Sequence, residues 1–208
     1  MNSSLNTTTR NLDQALFPSK RNYKRGQTIY TQSKSSEGFY QVIKGCVKLQ
    51  KMLPNGVMTL LKIVTEGEIF GEGNFEMERK NISFAIALED QTVIQKLEPT
   101  ANLSQEYQET ITQMLIDRAM ESVLRHERLV ALDAEDRIKT VLKELALKRG
   151  VKFGDETLLK INLTHEEIAM LSDSSRQTVT KTFSMLKRNR IINYSRNRIL
   201  FRDLDNFN

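Results

Sequence analysis

The sequence predicts an α+β chain: a β-rich first half, one long helix, and a C-terminal pair of helices followed by a β-hairpin. Three observations carry this. Seven of the nine glycines fall between Gly26 and Gly73, where they separate short β-rich runs. Residues 104–132 contain neither Gly nor Pro. Between residues 174 and 202 every charged side chain is a cation.

Taken in order, residues 1–11 are polar and poor in apolar side chains, so they are expected to be a mobile tail without a function. Residues 12–102 are expected to form a jelly roll. The runs 28–30, 38–43, 46–49, 58–64, 83–87 and 92–94 are β-rich, and Pro54-Asn55-Gly56 supplies a tight turn, since Asn and Gly tolerate positive φ. Many short strands with regular glycine punctuation argue for a barrel or jelly roll rather than a parallel sheet.

Residues 103–133 form the long helix and a hinge. Ile111, Leu115 and Ala119 recur at helical spacing, and Ile116, Met120, Val123 and Val130 make a further stripe. That is more apolar surface than one flank of a roll requires, so pairing with a twin helix would cover the excess. Glu127 interrupts the heptad, and a helix that merely covers its own domain is the competing reading. Asp133 can cap the next helix, whose Ile138, Val141, Leu142, Leu145 and Ala146 share one face before Gly150 ends it. Residues 134–208 make the last domain.

Within it, Thr164 with Glu167 and Ser174 with Gln177 each fit a capping box, ten residues apart. Val179, Phe183 and Leu186 then face the protein, which turns Arg176, Gln177, Thr180 and Lys181 elsewhere. In a helix-turn-helix the first residues of the second helix enter the major groove. Arg176 suits guanine O6 and N7, Gln177 suits adenine, and each such pair is worth about 1–3 kcal/mol of discrimination. Lys181 reaches a base or a phosphate, and Ser175 lies beside these readers. Runs 191–194 and 199–201 flank a basic tip, making a hairpin whose Arg196 and Arg198 would touch backbone. Thr164 is placed to donate to a phosphate through its hydroxyl and the following amides. Arg176, Lys181, Lys187, Arg188, Arg190, Arg196, Arg198 and Arg202, with no acidic residue among them, form a surface for a polyanion.

Composition bounds the rest. With 39% apolar and 27% charged residues, the 208-residue chain reads as a soluble globular protein with room for two modest domains. No apolar run approaches the roughly 18 residues of a membrane span, and a signal peptide's basic and apolar regions are missing, so a cytoplasmic protein without membrane contact is expected. The lone Cys46 permits no internal disulfide, and no Cys or His spacing suggests zinc, so neither metal nor cofactor is expected. Without a phosphate-cradling Gly-Lys-Ser/Thr loop, a His-Glu-x-x-His motif or a partnered nucleophile, catalysis is not expected either.

The runs Leu163-Thr164-His165-Glu166-Glu167-Ile168-Ala169, Ser174-Ser175-Arg176-Gln177-Thr178-Val179 and 186–192 resemble the winged helix of the CRP/FNR superfamily of bacterial transcription regulators. Two departures, Gln177 for the common Glu and Lys181 for the common Arg, keep the family's usual operator from carrying over. Gly26, the run 38–45 and Gly67-Glu68-Ile69-Phe70-Gly71-Glu72 resemble the same superfamily's cyclic-nucleotide-binding-like β-roll. That resemblance implies an effector site containing Gly71 and Glu72, followed by an Arg-Ser pair that holds the cyclic phosphate. Here Asn81 and Ile82 stand there, with Arg79 and Lys80 just upstream, so cyclic AMP in the usual mode is not expected. Ser122 matches a hydroxyl position facing the ligand. Arg118, Arg125 and Arg128 serve either an anionic effector or pairs with Glu121 and Glu127. An iron–sulfur cluster or haem lacks ligands, with one cysteine and with His126 and His165 outside the roll. The implied partners are double-stranded DNA carrying an inverted repeat, a second copy of the chain, RNA polymerase, and an unidentified small effector. The alternative is an effector-independent DNA binder whose roll is a scaffold or a protein-docking surface.

Overall fold

The computed structural model describes residues 20–75, 79–97 and 105–207. The predicted tail, 1–11, and the boundary near residue 102 lie outside them. In chain order the strands are β1 (Lys20–Tyr23), β2 (Thr28–Tyr30), β3 (Phe39–Lys44), β4 (Cys46–Met52), β5 (Met58–Thr65), β6 (Ile69–Phe70), β7 (Phe84–Ala87) and β8 (Thr92–Leu97). Then follow helices α1 (Gln105–Ala131) and α2 (Ala134–Arg149), strands β9 (Val151–Phe153) and β10 (Glu156–Lys160), helices α3 (His165–Leu171) and α4 (Arg176–Arg188), and strands β11 (Ile192–Ser195) and β12 (Arg198–Phe201).

Contacts divide the chain into two compact units: Met1–Met52 with Ile63–Leu115, and Leu53–Lys62 with Ile116–Asn208. The division runs through α1 rather than at its start. Two antiparallel sheets, ordered β1-β8-β3-β6 and β2-β7-β4-β5, make the expected roll; all their strands belong to the first unit except β5, whose residues up to Lys62 are counted with the second. Alternation along β3 and β4 puts Tyr40, Val42, Val47 and Leu49 inside, and with Phe70 and Ile94 they fill the core. Each such side chain contributes about 1.5–3 kcal/mol by leaving water. Cys46 is buried among them as a small core residue. Ile111 and Met114, on the first turns of α1, pack with Phe39, Ile69 and Leu97. Strand β1 escaped the sequence reading because Lys-Arg-Asn-Tyr is too polar to alternate. It forms by pairing Lys20 to Tyr23 with Gln95 to Thr92 at the sheet's edge.

In the second unit α1 ends at Ala131, and Asp133 caps α2 by accepting from the Asp136 amide. Ile138, Val141, Leu142, Leu145 and Ala146 are buried, the face read from the sequence. Gly150 ends α2 in extended backbone rather than the left-handed form expected of a C-terminal glycine. It is needed for space instead, because a Cβ would collide with the Ala146 carbonyl and the Thr157 methyl. The sheet has four strands, ordered β11-β12-β10-β9. Its β9–β10 hairpin, turning through Gly154 at φ +63°, was not foreseen, since Val151-Lys152-Phe153 is too short to show a period. Among the described residues no helix is long and apolar enough to cross a membrane.

Candidate functional site

The first capping box forms as predicted. Glu167 accepts from the Thr164 amide (2.8 Å) and hydroxyl (3.0 Å), while the Thr164 oxygen accepts from the Glu167 amide (3.2 Å). The Thr164 proton is therefore given to Glu167, which leaves none for a phosphate. The second helix starts one residue later than its predicted box. Ser175, not Ser174, is the cap, accepting from the Thr178 amide at 3.0 Å and sharing a hydrogen bond with the Thr178 hydroxyl. Ser174 bonds the Ser172 hydroxyl instead. The shift places Thr178 rather than Gln177 at the third helical position, so Gln177 is released from the helix start.

Along α4, Val179, Thr182, Phe183 and Leu186 are buried, and Arg176, Gln177, Thr180, Lys181 and Ser184 are exposed. Among the described residues none hydrogen-bonds or ion-pairs the side chains of Arg176, Gln177 or Lys181. Thr180 differs: its hydroxyl donates to the Arg176 carbonyl at 2.9 Å and lies 3.0 Å from His165 Nδ1. With that proton committed, Thr180 accepts from His165, which fixes the neutral imidazole as its Nδ1–H tautomer.

The wing is the β11–β12 hairpin, closed by Ser195 opposite Arg198, with Asn197 at φ +63° in its two-residue tip. Arg196 and Arg198 are exposed there. Two predicted cations are already engaged. Arg202 pairs with Glu156, and Lys187 sits over the Tyr194 ring, 5.2 Å from its centroid. Tyr194 meets Phe183 edge-on at 5.1 Å, and His165 stands 4.9 Å from Phe183. This aromatic cluster joins α3, α4 and the wing. Burial first, and then the nearby Arg176 guanidinium, hold the His165 pKa below its usual value.

The turn between α3 and α4 is gripped from behind, which the sequence reading missed. Arg125 on α1 donates to both Asp173 carboxylate oxygens at 2.8 and 2.7 Å, and to the carbonyls of Met170 at 3.0 Å and Leu61 at 3.3 Å. Arg137 on α2 donates to the carbonyls of Ser172 (2.9 Å), Asp173 (2.7 Å) and Leu132 (2.8 Å). Apart from Leu132, these partners lie 35 to 64 residues away, beyond the reach of any periodicity. Of the pairs expected along α1, Arg118 with Glu121 is the one seen among the described residues, at 3.1 Å, while Arg128 reaches Glu144 on α2 at 3.0 Å.

In the roll, the residues matched to an effector site are turned inward. Gly71 (φ +118°) packs so tightly on the Gly38 carbonyl that a side chain would not fit, and its amide donates to Glu72 Oε2 at 3.1 Å. Asn81 is buried and donates its amide to the Thr31 carbonyl at 3.1 Å, while its main chain bonds Lys34 and Ser33. Arg79 and Lys80 are exposed. Ser83 is a polar residue the sequence reading passed over: it is 1% exposed, and among the described residues its hydroxyl has no partner. Ser122 is exposed on α1, in the second unit, whereas Gly71, Glu72 and Asn81 belong to the first.

Residues 20–98 match the cyclic nucleotide-binding domain family and residues 136–207 the Crp-like helix-turn-helix domain family. The transcriptional regulator SdrP of Thermus thermophilus is 32% identical over 167 residues, covering 79% of each chain. LdrP of the same organism is 28% identical over 183 residues, covering 88% of this chain and 91% of that one. A CRP-like cAMP-activated global transcriptional regulator of Mycobacterium tuberculosis is 27% identical over 168 residues, with 78% and 74% covered. Among solved structures, a CRP/FNR-family regulator, also from Thermus thermophilus, superposes with TM-score 0.75 at 26% identity, covering 91% of this chain and 96% of that one.

Proposed function

The chain belongs to the CRP/FNR family of transcriptional regulators, and we propose that it acts as a homodimer on an inverted-repeat operator, α4 of each protomer reading one half-site. One observation carries this reading. Arg176, Gln177 and Lys181 project from the first turns of a helix whose other face is buried, and their polar groups have no partner among the described residues. Free donors held on a rigid element are what base-edge recognition needs. Arg196 and Arg198 add sequence-independent phosphate contacts. Ser175 fixes where α4 begins, Thr164 fixes α3, and the exposed Thr180 adds to the surface that meets the groove.

The dimer seam is the stripe of Ile116, Met120 and Val123, which are 50%, 53% and 49% exposed in the single chain. Exposed apolar side chains continuing to Leu129 and Val130 favour a partner helix over bulk water. Within the roll, cyclic AMP is not held through Gly71, Glu72 and Asn81, because Asn81 is neutral and its amide is spent on Thr31. RNA polymerase is the partner through which the bound dimer acts on transcription.

Selecting bound duplexes from a random pool tests the reading. The expected product is an inverted repeat with half-site centres about 34 Å apart or a multiple of that. A pool enriched in direct repeats or single half-sites, or a protein that sediments as a monomer at micromolar concentration, overturns it.

A further inference from the structure

His165, one of two histidines in the chain, stands half-buried at the start of α3 against residues of α4 and the wing. Three neighbours hold its ring. The Nδ1–H meets the Thr180 hydroxyl at 3.0 Å, the Phe183 ring lies 4.9 Å away, and the Tyr194 ring lies 6.3 Å away. With the neutral ring protonated at Nδ1, Nε2 keeps its lone pair, and among the described residues it has no hydrogen-bond partner. A second proton therefore lands on Nε2. It turns that atom from acceptor to donor and adds a charge, while the Thr180 bond, which needs only Nδ1–H, survives in both states.

Charged and titratable groups surround the ring from each element packed on it. Helix α4 supplies Arg176, and the wing supplies Tyr194 with Lys187 over its ring at 5.2 Å. Helix α3 itself supplies Glu166, which is exposed, and Glu167, whose carboxylate is taken up by Thr164. Burial first, and then Arg176, favour the neutral ring in the free protein. A phosphate brought to this surface reverses the balance, because an opposite charge favours the charged form and an Nε2–H bond to phosphate is charge-assisted. Arg176 and Thr180 are both exposed on the DNA-reading face of α4, so the ring stands at the edge of the surface that meets the duplex.

We propose that His165 is a proton-linked DNA contact: in the operator complex its imidazolium donates Nε2–H to a backbone phosphate, so each protomer takes up a proton on binding and affinity rises as pH falls. This rests on the operator reading above and deepens it. The duplex favours the protonated ring, and by reciprocity protonation strengthens duplex binding by the same factor.

The test is calorimetric titration of the full chain with the duplex selected from the random pool, at pH 7 and fixed salt, in PIPES and in imidazole buffer, whose ionisation heats differ. The unaltered chain is expected to take up protons, at most one per protomer. H165N is expected to take up none, since Asn keeps an N–H for Thr180 but does not titrate. By fluorescence anisotropy, the affinity of the unaltered chain relative to H165N is expected to rise at least about threefold from pH 8 to pH 6. H126N, altered at the exposed histidine of α1, is expected to behave as the unaltered chain. Absence of proton uptake by the unaltered chain overturns the proposal without recourse to any variant, so a poorly folded H165N does not shield it. Equal uptake by H165N, or loss of uptake in H126N, overturns it equally. Operator binding without proton uptake removes this proposal and leaves the operator reading standing, whereas a chain that selects no duplex removes both.

Discussion

Helix α4 and the segment of the roll matched by motif to an effector site carry similarly polar residues and dispose of them in opposite ways. On α4, capping and packing are handled by Ser175, Thr178 and the buried apolar face, so Arg176, Gln177 and Lys181 keep their hydrogen-bonding capacity for an outside partner. In the roll, Glu72 accepts from the adjacent Gly71 amide and Asn81 donates to Thr31, so polar groups at a site matched by motif already serve the fold. Residue type says what a side chain is able to bind. Whether the fold has already used that capacity decides whether it does.

Breaking this contrast begins with its strongest side. Arg176→Ala should cost about 1–3 kcal/mol on the cognate operator and much less on random DNA, read by fluorescence anisotropy on both duplexes. An equal loss on both would make Arg176 a phosphate contact and remove the distinction. On the other side, Asn81→Leu should lower unfolding stability by about 1–3 kcal/mol in urea titration, because the half-buried Thr31 carbonyl loses its shorter hydrogen bond and keeps only the Lys34 amide at 3.4 Å. Operator affinity should hold. A stable Asn81→Leu protein would show that the amide is not committed to the fold.

Arg198→Ala sharpens the comparison within the DNA surface itself. It should weaken all duplexes alike and reduce the slope of log affinity against log salt by about 0.9, one phosphate contact. The smallest effect comes from His165, whose pKa is lowered in the folded chain. The unfolded chain, at an ordinary value near 6.5, then binds more protons than the folded one as pH drops through that value, so stability falls with it. Thermal melts from pH 8 to pH 5 should show this decline, and His165→Gln should flatten it.

How much was legible follows from the distance over which each signal acts. The buried faces of α2 and α4 were readable because a helix repeats every 3.6 residues and each face needs only its own dozen residues. The capping box at Thr164 was readable for the same reason, and the start of α4 was missed by one residue because Ser174 and Ser175 are chemically identical. Arg202 counted as a free cation in the sequence but pairs with Glu156, 46 residues away. Strand β1, with three polar residues in four, exists only because β8 is there to pair with it.

The order of elements, the family and the cationic character of the last 35 residues were set by local pattern and composition, which act over a few turns of chain. Which of those cations stay free, that Arg125 and Arg137 grip the turn before α4, and that Asn81 faces the loop at Thr31 were decided by contacts spanning 35 to 64 residues. Hydrogen-bond partners are chosen by proximity in space, and only the folded chain sets that proximity.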